Sequence, residues 1–336
     1  MKAALFDGSN KFKIIDKDIP AINENEVLVK LSACGICGTD IKILAGKSYS
    51  KPPVILGHEF CGKVVETGPA VEFIKAGDFV SVDPNISCGV CSFCRTGQIN
   101  LCKNLSAIGV NIDGGFAEYC AVPKKQCYPL NFDSIFNAAL MEPLSCALYG
   151  IQKADIKSGD DVIILGAGMI GIMMIKLCRL EGAGRIFVLE IDEVRRKYAR
   201  ANVADLTFDP HEDKSMHELS QILPDGADVV IECVGAMETA KQAIDLAKRG
   251  GRIVYFGVAP KDEEVAIKPH KIFSKDLTIS GSLLNPFTYS KARKLITNGK
   301  IDFDHLDIAK FPLDKINEAI QNQKEKRDLK AMIFFE

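Results

Sequence analysis

Apolar residues in the first 130 or so positions come in short β-branched runs, among them VLVKL, GKVVE and FVSV, separated by Gly, Pro, Asn and Asp. Runs of this length bounded by turn formers read as strands, so this part of the chain is predicted to be mostly β. From about Asp160 the pattern changes to strand, glycine turn, helix and strand: DVIILGAGMIG, a helix through Leu180, then RIFVLEID. Further strands are predicted at ADVVIECVG and GRIVYFGV, and the intervening AMETAKQAIDLAKRGG has its apolar positions at helical spacing. Such alternation predicts a parallel sheet with helices on its faces. Beyond Ser280 it shifts again, to a helix from Tyr289 to about Gly299, another from Asp314 to Lys324, and a closing apolar strand AMIFF. There is no internal repeat and no low-complexity segment.

At 336 residues the chain is longer than one hydrophobic core usually grows, so two domains are expected. Lys and Arg number 42 against 44 Asp and Glu, a net charge of -2. That balance gives no electrostatic reason to expect nucleic acid or an anionic membrane surface, and a small-molecule partner is expected instead. The opening MKAALFDGSNKFKIID lacks the long apolar stretch of a signal peptide, and no apolar run approaches the ~20 residues of a membrane helix. The expectation is a cytoplasmic protein with no membrane partner. Twelve cysteines would suit a secreted disulfide scaffold, but four form one array, and others such as Cys146, Cys178 and Cys233 sit in apolar segments, as reduced core thiols do.

The array is Cys88, Cys91, Cys94 and Cys102, in C-x2-C-x2-C-x7-C spacing. Four thiolates this close can surround a zinc at about 2.3 Å each and leave no position for substrate, which is the character of a structural site. Four unconnected thiols and an iron–sulfur cluster are the competing readings; closed four-cysteine spacings of this kind more often hold zinc. The metal would order a lobe with too little apolar surface to order itself.

A second motif is G-x-G-x-x-G at Gly166, Gly168 and Gly171, with Met169 and Ile170 between the last two, directly after the strand VIIL and at the entrance to a helix. The first glycine makes a tight turn, the second admits pyrophosphate to the backbone, and the third lets helix pack on strand. Phosphates then meet free N–H groups at the positive helix end. Glu190 closes the next strand nineteen residues past Gly171, where a carboxylate accepts both ribose hydroxyls of the adenosine half and repels a 2′-phosphate. NAD is therefore expected over NADP, although Arg195 and Arg196 just downstream would partly offset Glu190. Glycines serving only helix packing are the bland alternative.

Cys37 lies in GICGTD, His58 in GHEF and Glu142 in MEPLS. Taken singly they read as a core thiol, a satisfied core histidine and an acid favoured by a helix N-terminus. Together, GICGTD, GHEFCGKVVETG, the cysteine array, GGFAEY, EPLS and GAGMIG resemble, in order and over essentially the whole chain, the zinc-dependent medium-chain alcohol and polyol dehydrogenases. Within that family the chain is most similar to sorbitol, threonine and sugar-alcohol-phosphate dehydrogenases, because EPLS puts a glutamate where alcohol dehydrogenases proper carry a cysteine.

The resemblance implies an α/β protein: a GroES-like β-barrel catalytic domain over 1–145 with the structural zinc lobe at about 84–105, a Rossmann doubly wound parallel sheet over 146–282, and a C-terminal return to the catalytic domain over 283–336. It implies that Cys37, His58 and Glu142 hold a catalytic zinc, with Glu59 at or near the metal and Asp40 orienting His58. Zinc would act as a Lewis acid on a substrate hydroxyl, Thr39 would relay its proton, and hydride would pass to the nicotinamide. A carboxylate in place of a thiolate leaves the formal charge of the ligand set unchanged and is the more easily displaced donor. One departure is Lys42, where sorbitol and threonine dehydrogenases commonly have a proton-passing histidine; a lysine there would serve an anionic substrate group such as phosphate, would relay protons only with a depressed pKa, or is simply solvated. Asn285 in GSLLNPF falls where the family meets substrate hydroxyls, and reads equally as a residue opening a turn before Pro286. A homodimer or homotetramer is expected by analogy. The implied reaction is reversible NAD-linked oxidation of a secondary hydroxyl of a polyol or polyol phosphate, with a hydroxy amino acid such as L-threonine as the alternative substrate. A zinc- and NAD-binding regulator without turnover is disfavoured by the intact Cys37, His58, Glu142 and Thr39.

Overall fold

The computed structural model describes residues 1–132 and 134–335. The chain forms two compact units, one of Met1–Ser145 with Pro286–Glu336 and one of Cys146–Asn285.

The first unit is built around the strand Glu26–Gly35, whose residues Val27, Leu28, Val29, Leu31, Ala33 and Cys34 are all buried. It runs antiparallel to Glu59–Thr67 along one edge. On the other edge its first half pairs with Tyr119–Pro123, and its last residues, Ala33 to Gly35, pair with Lys330–Phe334. Phe79–Val82 and Cys127–Leu130 extend the sheet beyond Glu59–Thr67, and Ile308–Pro312 lies parallel to Lys330–Phe334 at the far edge. A three-stranded sheet of Lys13–Asp16, Lys2–Phe6 and Val54–Ile55 shares one apolar core with the larger sheet, in which Phe12 and Phe116 meet edge to face at 5.6 Å. Such a core follows from the β-branched runs, whose side chains pack well on a pleated surface. The central strand leads at once into the short helix Gly38–Leu44, with Cys37 at its N-cap.

The second unit carries a six-stranded parallel sheet in the order Leu206–Phe208, Arg185–Leu189, Asp161–Leu165, Ala227–Glu232, Ala247–Tyr255, Thr278–Gly281. Numbered along the unit this is 3-2-1-4-5-6, the doubly wound order of dinucleotide-binding sheets. Its central strands are nearly continuous apolar runs because both faces are covered. In one place the pattern misleads: the helix after Glu232 is Met237–Leu246 and does not extend through AKRGG, which already belongs to the strand Ala247–Tyr255. Ala247 is fully buried opposite Ala227, and two glycines follow that favour leaving a helix. Among the described residues no helix is long and apolar enough to cross a membrane.

A lobe of the first unit is tied by only two two-residue strands, Asn85–Ile86 and Ser106–Ala107, with the one-turn helix Ser92–Arg95 between them. Its four cysteine sulfurs all lie within 4.8 Å of one another, Cys91 to Cys94 at 3.5 Å and Cys88 to Cys94 at 4.0 Å. Sulfurs placed tetrahedrally about a zinc are about 3.8 Å apart, so the spacing fits the ion. Backbone N–H donors from Cys94 and Lys103 bring the Cys91 thiol down to about 6, so thiolate is already favoured there. With so little other structure in the lobe, Cys91→Ser is expected to release this metal and lower the melting temperature by roughly 5–10 °C. Zinc content and thermal melting check this, and an unchanged melting temperature with the metal lost would deny the site its structural part.

Candidate functional site

The turn between the central strand and the helix Gly38–Leu44 brings Cys37 to the helix N-cap, where its N–H donates to Asp40 Oδ2 at 2.8 Å. Strand Glu59–Thr67 begins beside the end of that central strand, with Glu59 paired to Gly35, so His58 and Glu59 arrive next to Cys37. Among the described residues, one ligand atom each from Cys37, His58 and Glu59 lie within 4.8 Å of one another. His58, Glu59 and Asp40 are all buried. Asp40 turns its second oxygen toward His58 Nδ1 at 3.6 Å, beyond hydrogen-bond length, and neither atom has a hydrogen-bond partner.

Lys330, from the strand Lys330–Phe334, forms an ion pair with Glu59, and both side chains are buried. The pair lies over Gly35, where a Cβ would overlap Glu59 Oε2 and come within 3.0 Å of Lys330 Cε. Burial works against the charged form of Lys330, but Glu59 and Cys37 outweigh it and hold its pKa above the ordinary value. Burial likewise opposes the His58 imidazolium, and Asp40 and Cys37 lift its pKa well above normal. A sulfur donor beside an imidazole and a carboxylate is a donor set that suits zinc.

Glu142 is placed in the first turn of the helix Met141–Ala154 and is buried, but it is not one of the three residues whose donor atoms converge within 4.8 Å. Thr39, in the first turn of the helix after Cys37, is partly exposed. Lys42, from the same helix, is half-buried, and that burial lowers its pKa. Asn285 is buried at the last position of the second unit.

In that second unit Gly166 takes φ +95°, and a Cβ there would lie 2.7 Å from Val234 Cγ2. Gly168 is the N-cap of the helix Met169–Leu180; a Cβ on it would meet only Arg195 Nη1, at 3.9 Å, so the backbone is open to a ligand. A Cβ on Gly171 would overlap the Gly166 carbonyl, which is why helix and turn approach so closely. Met169 is buried and Ile170 partly so. Glu190 is buried, and its oxygens accept the N–H groups of Ala167 at 2.7 Å and Asp192 at 3.0 Å. Arg196 is occupied by the Glu190 carbonyl, Asp209 and Glu193. Arg195 is the arginine that faces the second glycine.

Two residues that the sequence reading passed over take part. Lys330 is one. Glu232 is the other: it ends the strand beside Leu165, and its Oε1 accepts from Val234 N–H, Gly235 N–H and Thr239 Oγ1, each at 2.8 Å. It thereby holds the loop whose Val234 packs on Gly166. An acid closing the apolar run Val229–Ile231 was the available signal for it.

Residues 23–132 match the family model for the alcohol dehydrogenase GroES-like domain, and 170–298 match that for zinc-binding dehydrogenases. D-arabinitol dehydrogenase 1 of Uromyces fabae is 33% identical over 99% of this chain and 97% of its own. L-threonine 3-dehydrogenase of Pyrococcus abyssi is 35% identical over 92% and 91%. A zinc-binding dehydrogenase of Sinorhizobium meliloti 1021, solved with NADP, superposes with a TM-score of 0.94 at 40% identity, covering 99% of each chain. Likeness of this extent, on top of a doubly wound sheet with its glycine turn and two clusters of metal-binding side chains, makes the chain a member of the zinc-dependent medium-chain alcohol and polyol dehydrogenase family.

Proposed function

We propose that this protein is an NAD-linked, zinc-dependent dehydrogenase that oxidises a secondary hydroxyl of a polyol or polyol phosphate to a ketone, reversibly. The observation that carries the reading is the convergence of Cys37 with buried His58 and Glu59, in a chain related over nearly its whole length to a D-arabinitol dehydrogenase. Cys37, His58 and Glu142 hold the catalytic metal, Glu59 stands beside it in reserve under the pull of Lys330, and Asp40 fixes the backbone of Cys37 while facing His58. The chemistry zinc supplies when bound is Lewis acidity toward a hydroxyl oxygen. Thr39 takes the hydroxyl proton toward solvent. The glycine turn receives the pyrophosphate, Glu190 accepts ribose hydroxyls with lone pairs its two backbone donors leave over, and Arg195 flanks the phosphates.

A hydroxy amino acid is the second reading, favoured by the 35% identity to an L-threonine 3-dehydrogenase. Lys42 bears on the substrate through its half-buried ammonium, which suits an anionic group on a phosphate ester, and Asn285 offers an amide to substrate hydroxyls. Twelve free cysteines accord with a reducing cytoplasm. Assembly as a homodimer or homotetramer accords with the edge position of the strand Thr278–Gly281 in its sheet.

Initial rates of NAD reduction should be highest with polyols or their phosphate esters; faster turnover of L-threonine would replace this reading by the second. If phosphate esters are preferred, Lys42→Ala should abolish the preference while leaving free-polyol rates nearly intact. Glu142→Ala is expected to lower kcat/KM by at least ~100-fold with NAD affinity retained, measured by steady-state kinetics and cofactor titration; full activity would remove Glu142 from the ligand set. Glu190→Gln keeps the shape and removes the charge, so the ratio of kcat/KM for NAD over NADP should fall about tenfold. A wild-type preference for NADP would overturn the cofactor assignment.

A further inference from the structure

We infer that Thr288 is a positioning residue for Glu142, the innermost link of a polar clasp by which the C-terminal return fixes residues 134–145; this rests on Glu142 being the third zinc ligand proposed above. Glu142 lies in the first turn of a helix, with Pro143 beside it, and two carbonyls of that turn, those of Glu142 and Ser145, are each held by a hydroxyl. Ser145 Oγ donates to the Glu142 carbonyl at 2.6 Å, and Thr288 Oγ1 donates to the Ser145 carbonyl at 2.7 Å. Thr288 is fully buried at the N-cap of the helix Tyr289–Thr297, where its own carbonyl accepts from Lys291 and Ala292, so its hydroxyl is presented from a rigid helix end.

The rest of the clasp follows outward. Tyr289, also buried, reaches Ser81 Oγ at 2.6 Å and the Val82 carbonyl at 2.8 Å, and Ser81 Oγ contacts the Ala138 carbonyl at 2.7 Å. Asn137 Nδ2 donates to Asp302 Oδ1 at 2.8 Å, and Phe303 N–H donates to Asn137 Oδ1 at 2.9 Å. Ser134 Oγ donates to Asp304 Oδ1. Apolar packing alone would let the first turn of a helix slide or rotate by a fraction of an ångström. Buried hydroxyl donors on two of its carbonyls, added to the helix's own hydrogen bonds, resist that, because breaking a buried hydrogen bond costs free energy. A ligating carboxylate tolerates little such motion, since zinc accepts its oxygen at about 2.0–2.2 Å. Removing an outer partner of a metal ligand typically weakens metal binding about 10–100-fold.

The test uses the full chain loaded with zinc and dialysed against graded concentrations of a chelator, with zinc per chain and thermal melting both measured. Thr288→Val preserves volume and removes the hydroxyl; it should release the catalytic zinc at about tenfold lower chelator concentration than wild type and keep the four-cysteine zinc. Thr288→Ser, which restores the hydroxyl, should behave as wild type. Ser145→Ala breaks the same relay one bond nearer Glu142 and should shift release in the same direction, which keeps the test decisive if Thr288→Val does not fold. A lowered melting temperature with wild-type zinc release in both Thr288→Val and Ser145→Ala would mean a purely structural threonine and overturn the inference. Glu142→Ala separates the two levels: if it retains the catalytic zinc like wild type, the ligand assignment itself has failed, whereas loss in Glu142→Ala without a shift in Thr288→Val or Ser145→Ala defeats the clasp alone.

Discussion

A carboxylate buried in a β-sheet needs a partner there, and the ion pair that supplies one to Glu59 organises the first unit around Gly35. The central strand holds Glu59 on one side through direct pairing and the strand of Lys330 on the other, and the missing side chain of Gly35 is the space in which the two charges meet. The ion pair occupies Lys330 and leaves Asp40 Oδ1 and His58 Nδ1 facing one another at 3.6 Å with no hydrogen-bond partner. A metal ion bound by residues that only the folded sheet brings together contributes its binding free energy to the fold.

Three acids do a second job across the two units. Asp40 accepts the N–H of Cys37, Glu190 those of Ala167 and Asp192, and Glu232 those of Val234 and Gly235. In each case a carboxylate at the edge of regular structure fastens a turn that presents backbone or ligand atoms. Hydrogen bonds to a charged acceptor are worth about 1.5–3 kcal/mol, roughly double a neutral one. Turns lack the cooperative ladders of helices and sheets, and here a single side chain supplies the equivalent.

What was legible from sequence was what folds locally. The glycine turn and the four-cysteine lobe depend on spacers of a few residues, so residue types and intervals carried both, and the strand-helix alternation after Asp160 foretold a parallel sheet, whose doubly wound form came only from the resemblance. Cys37, His58 and Glu142 became a set only through resemblance, because nothing in their own neighbourhoods distinguishes a ligand from a core residue. Lys330 and Thr288 were invisible for a related reason: their partners, Glu59 and Ser145, stand far away in sequence and are joined only by strand register and helix docking. The helix read through AKRGG failed because an amphipathic period does not register that Ala247 is claimed by a neighbouring strand. Glu142 stands outside the group of three in the structure, although family pattern named it and Glu59 with equal ease.

The register between Gly35 and Met332 has a consequence for how the protein is made. Glu59 precedes Lys330 by a long stretch of sequence, so the charge that meets Glu59 is synthesised well after the carboxylate itself. Until then the sheet that will carry the metal ligands has an open edge along the last residues of its central strand, where Lys330–Phe334 will dock. The second unit, by contrast, draws every strand of its sheet from one uninterrupted stretch of chain and can close before the last residues appear. Vectorial synthesis therefore supplies every strand of the second unit's sheet before the strand that completes the first unit's central pairing.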